Sequence, residues 1–386
     1  IAEASGDSDR IIFTSDNASP AGGDWDSIRF ESGSDGSLRY VTIEYAGGRK
    51  DYDGVNRAGL MIDSSPTLDN VLVRHIVNTD INTSYNQGDG KAAGVWLKGT
   101  ASPLITNCIF ENIESYGVYA AKDSESAFEI RDCIVRQSGS GVYLAGTGEY
   151  IFKSNQLIDN DSAGRWIASS ASRMIDNTFI DNGDNDALGV SGTIEHDTIW
   201  NDDVKLMNTA AVASGVTLTI EPGVTVYGRN VDSLLRVHGT LIAEASGDSD
   251  RIIFTSDNAN PAGGDWDSIR FEPGSDGSLR YVTIEYAGGR EDYDGVNRAG
   301  LMIDSSPTLD NVLVRHIVNT DTNNGYNKGD GKAAGVWLKG SAESMISKIS
   351  IKNVESWGIY HTSSQDISIL NSKIFNNGKG IYSSGA

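Results

Sequence analysis

Between residues 94 and 190 the chain keeps returning to one short phrase. Gly94-Val-Trp-Leu, Gly117-Val-Tyr-Ala, Gly141-Val-Tyr-Leu, Gly164-Arg-Trp-Ile and Ala187-Leu-Gly-Val begin 23, 24, 23 and 23 residues apart. A second series keeps the same time: Asn107-Cys-Ile-Phe, Asp132-Cys-Ile-Val, Asn155-Gln-Leu-Ile and Asn177-Thr-Phe-Ile, at steps of 25, 23 and 22. Each beat holds two or three β-type runs cut by Gly, Asn, Asp and Ser, and no stretch sustains a 3.6-residue apolar period with helix caps. Strands without helices, recurring at this interval, predict one solenoid coil per beat. Leucine-rich repeats have the same length, but their L-x-x-L-x-L frame is absent.

In such a coil each strand pairs with its counterpart one coil on, about 4.8 Å away. The series Asn107, Asp132, Asn155, Asn177, continued at Asn371, is expected to pass side-chain hydrogen bonds from coil to coil. Cys108 and Cys133 lie one coil apart in it and are expected as stacked free thiols, since unpaired cysteine packs as a small apolar residue.

Above the short beat sits a long one: residues 1–99 return almost letter for letter at 242–340, an offset of 241. The reading is one continuous solenoid over 1–386, with a first tandem unit at 1–241 and a partial second at 242–386, cut as a window from a longer array. Composition bounds the partners. A net charge of −22, from 53 acidic and 31 basic residues, argues against nucleic acid and anionic lipid. No run reaches the length of a membrane span, so no insertion is expected within this segment. Two cysteines are too few for a disulfide framework.

The phrases "GVTLTIEPGVTV" (215–226), "RVHGTLIAEA" (236–245), "RIIFTSD" (251–257), "GDWDSIRF" (264–271) and "SLRYVTIEYAGG" (278–289) resemble those of right-handed parallel β-helix proteins. The wider group is the pectin-lyase-like superfamily, and nearer still are repeat proteins of bacterial and archaeal cell surfaces. The resemblance implies an all-β, right-handed, single-stranded parallel β-helix of roughly 14–15 coils of about 22–25 residues, some with longer loops. It implies an extracellular or cell-surface location. It does not fix an activity, because the superfamily holds lyases, hydrolases, adhesins and stalks.

Two features are candidates for function. Longer loops at one corner, Gly47–Gly59 and Val77–Gly94, with Thr14–Trp25 before them, would project as one patch carrying Tyr52, Arg57 and Tyr85. Within it Asp51 and Asp53, and their copies Asp292 and Asp294, resemble half of a calcium loop, so Ca²⁺ is the one cofactor expected, against the plain alternative of a solvated turn. The second feature is a row of aromatics. Strand alternation turns Trp96 outward, and the same slot is expected to hold Tyr119, Tyr143 and Trp166, then Trp337, Tyr360 and Tyr382, with Arg29, Met61, Arg270 and Met302 leading in. Such a row suits sugar rings or another protein surface, and its structural alternative is mutual packing at ~0.2–1 kcal/mol per pair.

No catalytic set is found: the five histidines are scattered, and no Ser/His/Asp or metal-ligand spacing occurs. The expectation is therefore a non-catalytic structural or adhesive stalk that binds a polysaccharide or other cell-surface polymer through repeated sites. The alternatives are a polysaccharide lyase or hydrolase on the same scaffold, and a filament or surface-layer subunit that binds copies of itself.

Overall fold

The computed structural model describes residues 1–48, 57–79, 91–120, 125–146, 148, 150–168, 172–289, 298–319, 333–343 and 345–384. These residues form short strands with three single-turn 3-10 helices and no α-helix. They make two compact units, Ile1–Leu188 and Gly189–Ala386.

In the first unit every coil visits three faces. The first face stacks Ala2–Glu3, Ser37–Arg39, Thr67–Asp69, Leu104–Thr106, Glu129–Arg131, Tyr150–Lys153 and Ser172–Ile175. The second stacks Ile11–Phe13, Val41–Glu44, Leu72–Ile76, Ile109–Ile113, Ile134–Arg136, Gln156–Ile158 and Thr178–Ile180. The third contains Ile28–Phe30, Arg57–Ile62, Ala92–Leu97, Tyr116–Ala120, Ser140–Leu144 and Gly164–Ala168. Pairing is parallel and joins each strand to the one a coil away, which is a parallel β-helix.

Alternation builds the core. Leu60, Val95, Val118 and Val142 face one another in register on the third face and are completely buried, as are Ile62, Leu97, Ala120 and Leu144 two residues on. Ile43, Val73, Phe110, Val135 and Leu157 form the matching column of the second face. The outward neighbours on that face alternate in charge: Arg74 meets Glu44 at 2.7 Å and Arg136 meets Glu111 at 2.6 Å.

The chain turns by placing two left-handed residues five apart in each coil. At the first corner these are Tyr40, Asn70, Asn107, Asp132, Ser154 and Asp176; at the second, Tyr45, His75, Asn112, Gln137, Asp159 and Asp181. Asn and Asp tolerate this conformation because their short polar side chains bond locally, which explains their recurrence.

The structure keeps Asn155 and Asn177 in the expected ladder and moves its other members by one residue. Asn107, Asp132 and Asn371 are corner residues, whereas the buried ladder runs through the residue after each corner. Cys108 N–H donates to Cys133 Sγ at 3.3 Å, Cys133 N–H to Asn155 Oδ1 at 3.0 Å, and Asn155 N–H to Asn177 Oδ1 at 3.0 Å. Both thiols are free and buried, and burial, with Cys133 beside it, pushes the Cys108 thiol well up. A second ladder, at the other corner, runs from Ile113 N–H to Ser138, Asn160 and Asn182, and ends where Asp186 accepts from Asn182 N–H at 2.6 Å.

The second unit repeats the plan. Its first face stacks Thr198–Trp200, Thr217–Ile220, Thr240–Glu244, Asp276–Arg280, Thr308–Asp310, Met345–Ser347 and Ser368–Leu370. Its third face contains Leu234–Val237, Ser268–Phe271, Arg298–Ile303, Ala333–Leu338, Trp357–His361 and Lys379–Ser383. Among the described residues no helix is long and apolar enough to cross a membrane.

Candidate functional site

Register on the third face gathers one outward column. In the first unit Arg29, Met61, Trp96, Tyr119, Tyr143 and Arg165 face one another in succession. In the second unit the column reads Arg236, Arg270, Met302, Trp337, Tyr360 and Tyr382. Among the described residues no strand of this face, in either unit, contains an Asp or a Glu, although the chain has 53 of them.

Trp166 does not belong to this row. Arg165 pairs with Tyr143, and Trp166 pairs with the inward Leu144 and is buried in the core. The coil here is 22 residues long, not 23: the corners step from Asp132 to Ser154 and from Gln137 to Asp159. Gly164 absorbs the change, sitting opposite Val142 with φ +113° and a backbone approach that leaves no room for a Cβ.

The tryptophans are covered as well. Trp96 is 2% exposed and Trp337 3%, each packed with an alanine of its own strand and an alanine and a methionine of the preceding coil. Trp337 Nε1 donates to Thr362 Oγ1 at 3.0 Å, whereas Trp96 Nε1 has no hydrogen-bond partner among the described residues. What remains open is a half-buried triad. Tyr119 and Tyr143 stack at 5.1 Å and 13°, and Tyr116, one strand position not singled out from the sequence, tilts across both at 5.2 and 5.6 Å. In the second unit Tyr360 and Tyr382 stack at 4.7 Å and 9°, and Trp357 tilts across them at 6.2 and 5.3 Å. The stacked tyrosines turn their faces to each other along the coil axis, so the row is a ledge of ring edges and not a flat platform of faces. The sequence signal for Tyr116 and Trp357 was the aromatic before each Gly in "SYGVY" and "SWGIY".

Ammonium groups lie over the outer rings. Lys91 is 5.4 Å from the Tyr116 ring centre and Lys379 is 4.7 Å from that of Trp357, while Lys98 and Lys339 cover Trp96 and Trp337 at 5.1 and 4.9 Å. Beside the first triad, at the second corner, a groove of about 430 Å³ is lined by Asn112, Glu114, Gln137, Asp159 and Asp161 among others. Its lining residues Glu114 and Gly139 stand two and one residues ahead of Tyr116 and Ser140, which pair in register.

The loop patch is only partly in view. Asp51, Tyr52, Asp53, Tyr85, Asp292 and Asp294 lie outside the described residues, and so does the expected calcium loop. Arg57 is described and is not a loop residue: it opens the strand Arg57–Ile62, is 2% exposed, and pairs in register with Ala92. The bases of the loops do meet, for Gly23 N–H donates to Ala46 O at 2.9 Å and Gly48 N–H to Trp25 O at 2.8 Å. Beside them Ser15, Ala21 and Asn17 hydrogen-bond Asp24 and hold its carboxyl below the usual range. Among the described residues no group of three or more His, Cys, Asp or Glu is placed to hold a metal.

The sequence family described as right handed beta helix region matches residues 63–231. That stretch is therefore a right-handed parallel β-helix domain, and the stacked parallel sheets of both units accord with that fold. No curated protein and no solved structure matches the chain.

Proposed function

We propose that this protein is a non-catalytic structural scaffold of the cell exterior that holds a carbohydrate polymer on its third face. The observation that carries the reading is the aromatic triad. It recurs in the second unit beyond the near-identical stretch, where "ESYGVYA" (114–120) has become "ESWGIYH" (355–361) and Tyr143 is answered by Tyr382. The neighbours changed and the three rings kept their arrangement. Half-buried aromatics with polar edges, bordered by amides and carboxylates, suit the mixed apolar and hydroxyl surface of pyranose rings. Two such sites on one chain would add avidity to weak single contacts.

The test is retention of the full chain on insoluble and soluble polysaccharides, with product analysis. Tyr119→Ala with Tyr143→Ala should weaken retention about tenfold or more, and adding Tyr360→Ala with Tyr382→Ala should abolish it, the far-ultraviolet spectrum staying β-type. Release of shortened or unsaturated oligosaccharides would replace this reading by the enzymatic one. Retention that ignores the four tyrosines would remove the ledge from the account.

A further inference from the structure

Resting on the carbohydrate reading, we infer that the ligand is a hexosamine polymer carrying free amines, bound across the corner groove and the aromatic triad, and not a polyuronate. Three observations point the same way. The groove near Tyr116 is lined by three carboxylates, Glu114, Asp159 and Asp161, and two amides, Asn112 and Gln137, with no lysine or arginine in its wall among the described residues. Amides and carboxylates at adjacent corners can take up the hydroxyl and amine donors of a sugar, and their charge favours a cation over an anion. The chain as a whole, at −22, adds a field of the same sign.

The rings supply the second observation. The face of Tyr116 accepts the Lys91 ammonium, from just ahead of the strand Ala92–Leu97, one coil before it. The face of Trp357 accepts the Lys379 ammonium, from the strand one coil after it. Two lysines reach the same ring position from opposite sides, so that face takes a primary ammonium from the chain itself, and a hexosamine amine would bind there by displacing it.

The corner chemistry is the third, for it recurs in the second unit. Asn353 and Asn376 take the left-handed corner positions that correspond to Asn112 and Gln137, and Glu355 stands for Glu114. Both glutamates fasten the start of the preceding loop, Glu114 accepting from Asn78 N–H at 2.6 Å and Glu355 from Asn319 N–H at 2.8 Å. Glu114 is thus held in place at the groove edge, and Glu355 is held in the same way at the equivalent corner.

Titration calorimetry of the full chain in slightly acid buffer decides the matter, using partly de-N-acetylated glucosamine oligomers, the same oligomers fully N-acetylated, and polygalacturonate. The free-amine oligomers should bind roughly tenfold tighter than the acetylated ones, the gap closing in high salt and in the Asp159→Asn, Asp161→Asn variant, with polygalacturonate weakest. Glu114→Gln is a second variant, expected to narrow the same gap. Equal binding of the two hexosamine forms, or tighter binding of polygalacturonate, overturns the inference. If binding then still depends on Tyr119 and Tyr143, the carbohydrate reading survives alone. Binding of none of the three polymers overturns this inference, and retention of other polymers that ignores the tyrosines overturns the reading beneath it.

Discussion

Residues 1–99 and 242–340 are almost the same sequence, yet the same side chains live in different surroundings. Phe13 is 36% exposed and Phe254, its copy, is 0%; Ile12 is 58% exposed where Ile253 is half-buried. The strand Ile252–Ser256 lies between Thr225–Gly228 and Val282–Glu285, whereas Ile11–Phe13 pairs with Val41–Glu44 alone among the described residues. Within residues 1–386 identical local propensity therefore gives unequal burial, because Ile11–Phe13 has a neighbouring strand on one side only among the described residues. In a solenoid the unit of stability is a coil together with the coil on each side of it, which makes burial a nearest-neighbour property.

The comparison is broken most directly by truncating both phenylalanines. Phe254→Ala should cost about 3–5 kcal/mol by opening a cavity in a closed layer, and Phe13→Ala less than about 1.5 kcal/mol. Urea unfolding followed by near-ultraviolet signals, with hydrogen exchange to localise the loss, measures both. Equal costs would show that burial in the second copy adds nothing, and the nearest-neighbour account would fall.

The ladders sharpen the same point at smaller scale. Asn155 accepts from Cys133 N–H and donates to Ile130 O and Asn177 Oδ1, all out of water. One rung earlier in the ladder of the second unit, at the position of Cys133, Ser372 accepts from Ile349 N–H at 3.2 Å and donates locally to Leu370 O. Asn155→Ala should cost about 2–3 kcal/mol and Ser372→Ala about 0.5–1.5 kcal/mol, since the first leaves buried partners unsatisfied. Thermal unfolding of the two variants gives the ordering.

The smallest effect is electrostatic. Burial works against the Asp69 carboxylate, but hydrogen bonds from Asn107, Asn70 and Thr106, with Arg39 nearby, hold its pKa below the usual value. A depressed folded pKa contributes stability that is present at neutral pH and is lost as pH falls from the ordinary carboxylate range through the folded value. In the second unit the next coil offers Lys348 to Asp310 at 3.4 Å in place of Asn107. Asn107→Ala should move the Asp69 titration midpoint upward in an NMR pH series and shift acid unfolding to higher pH. An unmoved midpoint would mean that Asn107 is not the neighbour that matters.

How far the sequence carries can be judged from particular positions. The coil beat and the free, stacked Cys108 and Cys133 could be read from spacing alone, because a strand pairs with whatever stands one coil away. Trp166 was placed one residue off, and so were Asn107, Asp132 and Asn371 in the ladder that does run through Asn155 and Asn177. A strand has a period of two, so a one-residue change in coil length sends a side chain from the outer face to the core, and nothing in Gly164-Arg-Trp-Ile taken alone reveals that change. The spacing of corner residues 132 and 154 did contain it. Tyr116 and Trp357 were passed over because two outward aromatics three residues apart, around a glycine, do not obey simple alternation.

What the sequence by itself determined is the stack: short β runs recurring at 22–25 residues leave the chain no other way to pair its backbone groups and bury its apolar columns. What only the tertiary structure decided is which aromatics are open. Trp96 points outward and is nevertheless covered by the coils beside it, while Tyr116, Tyr119 and Tyr143 keep their edges in reach. Exposure depends on the size of what stands on neighbouring coils, and residues 20 or more apart in the chain become neighbours only once the coils are stacked.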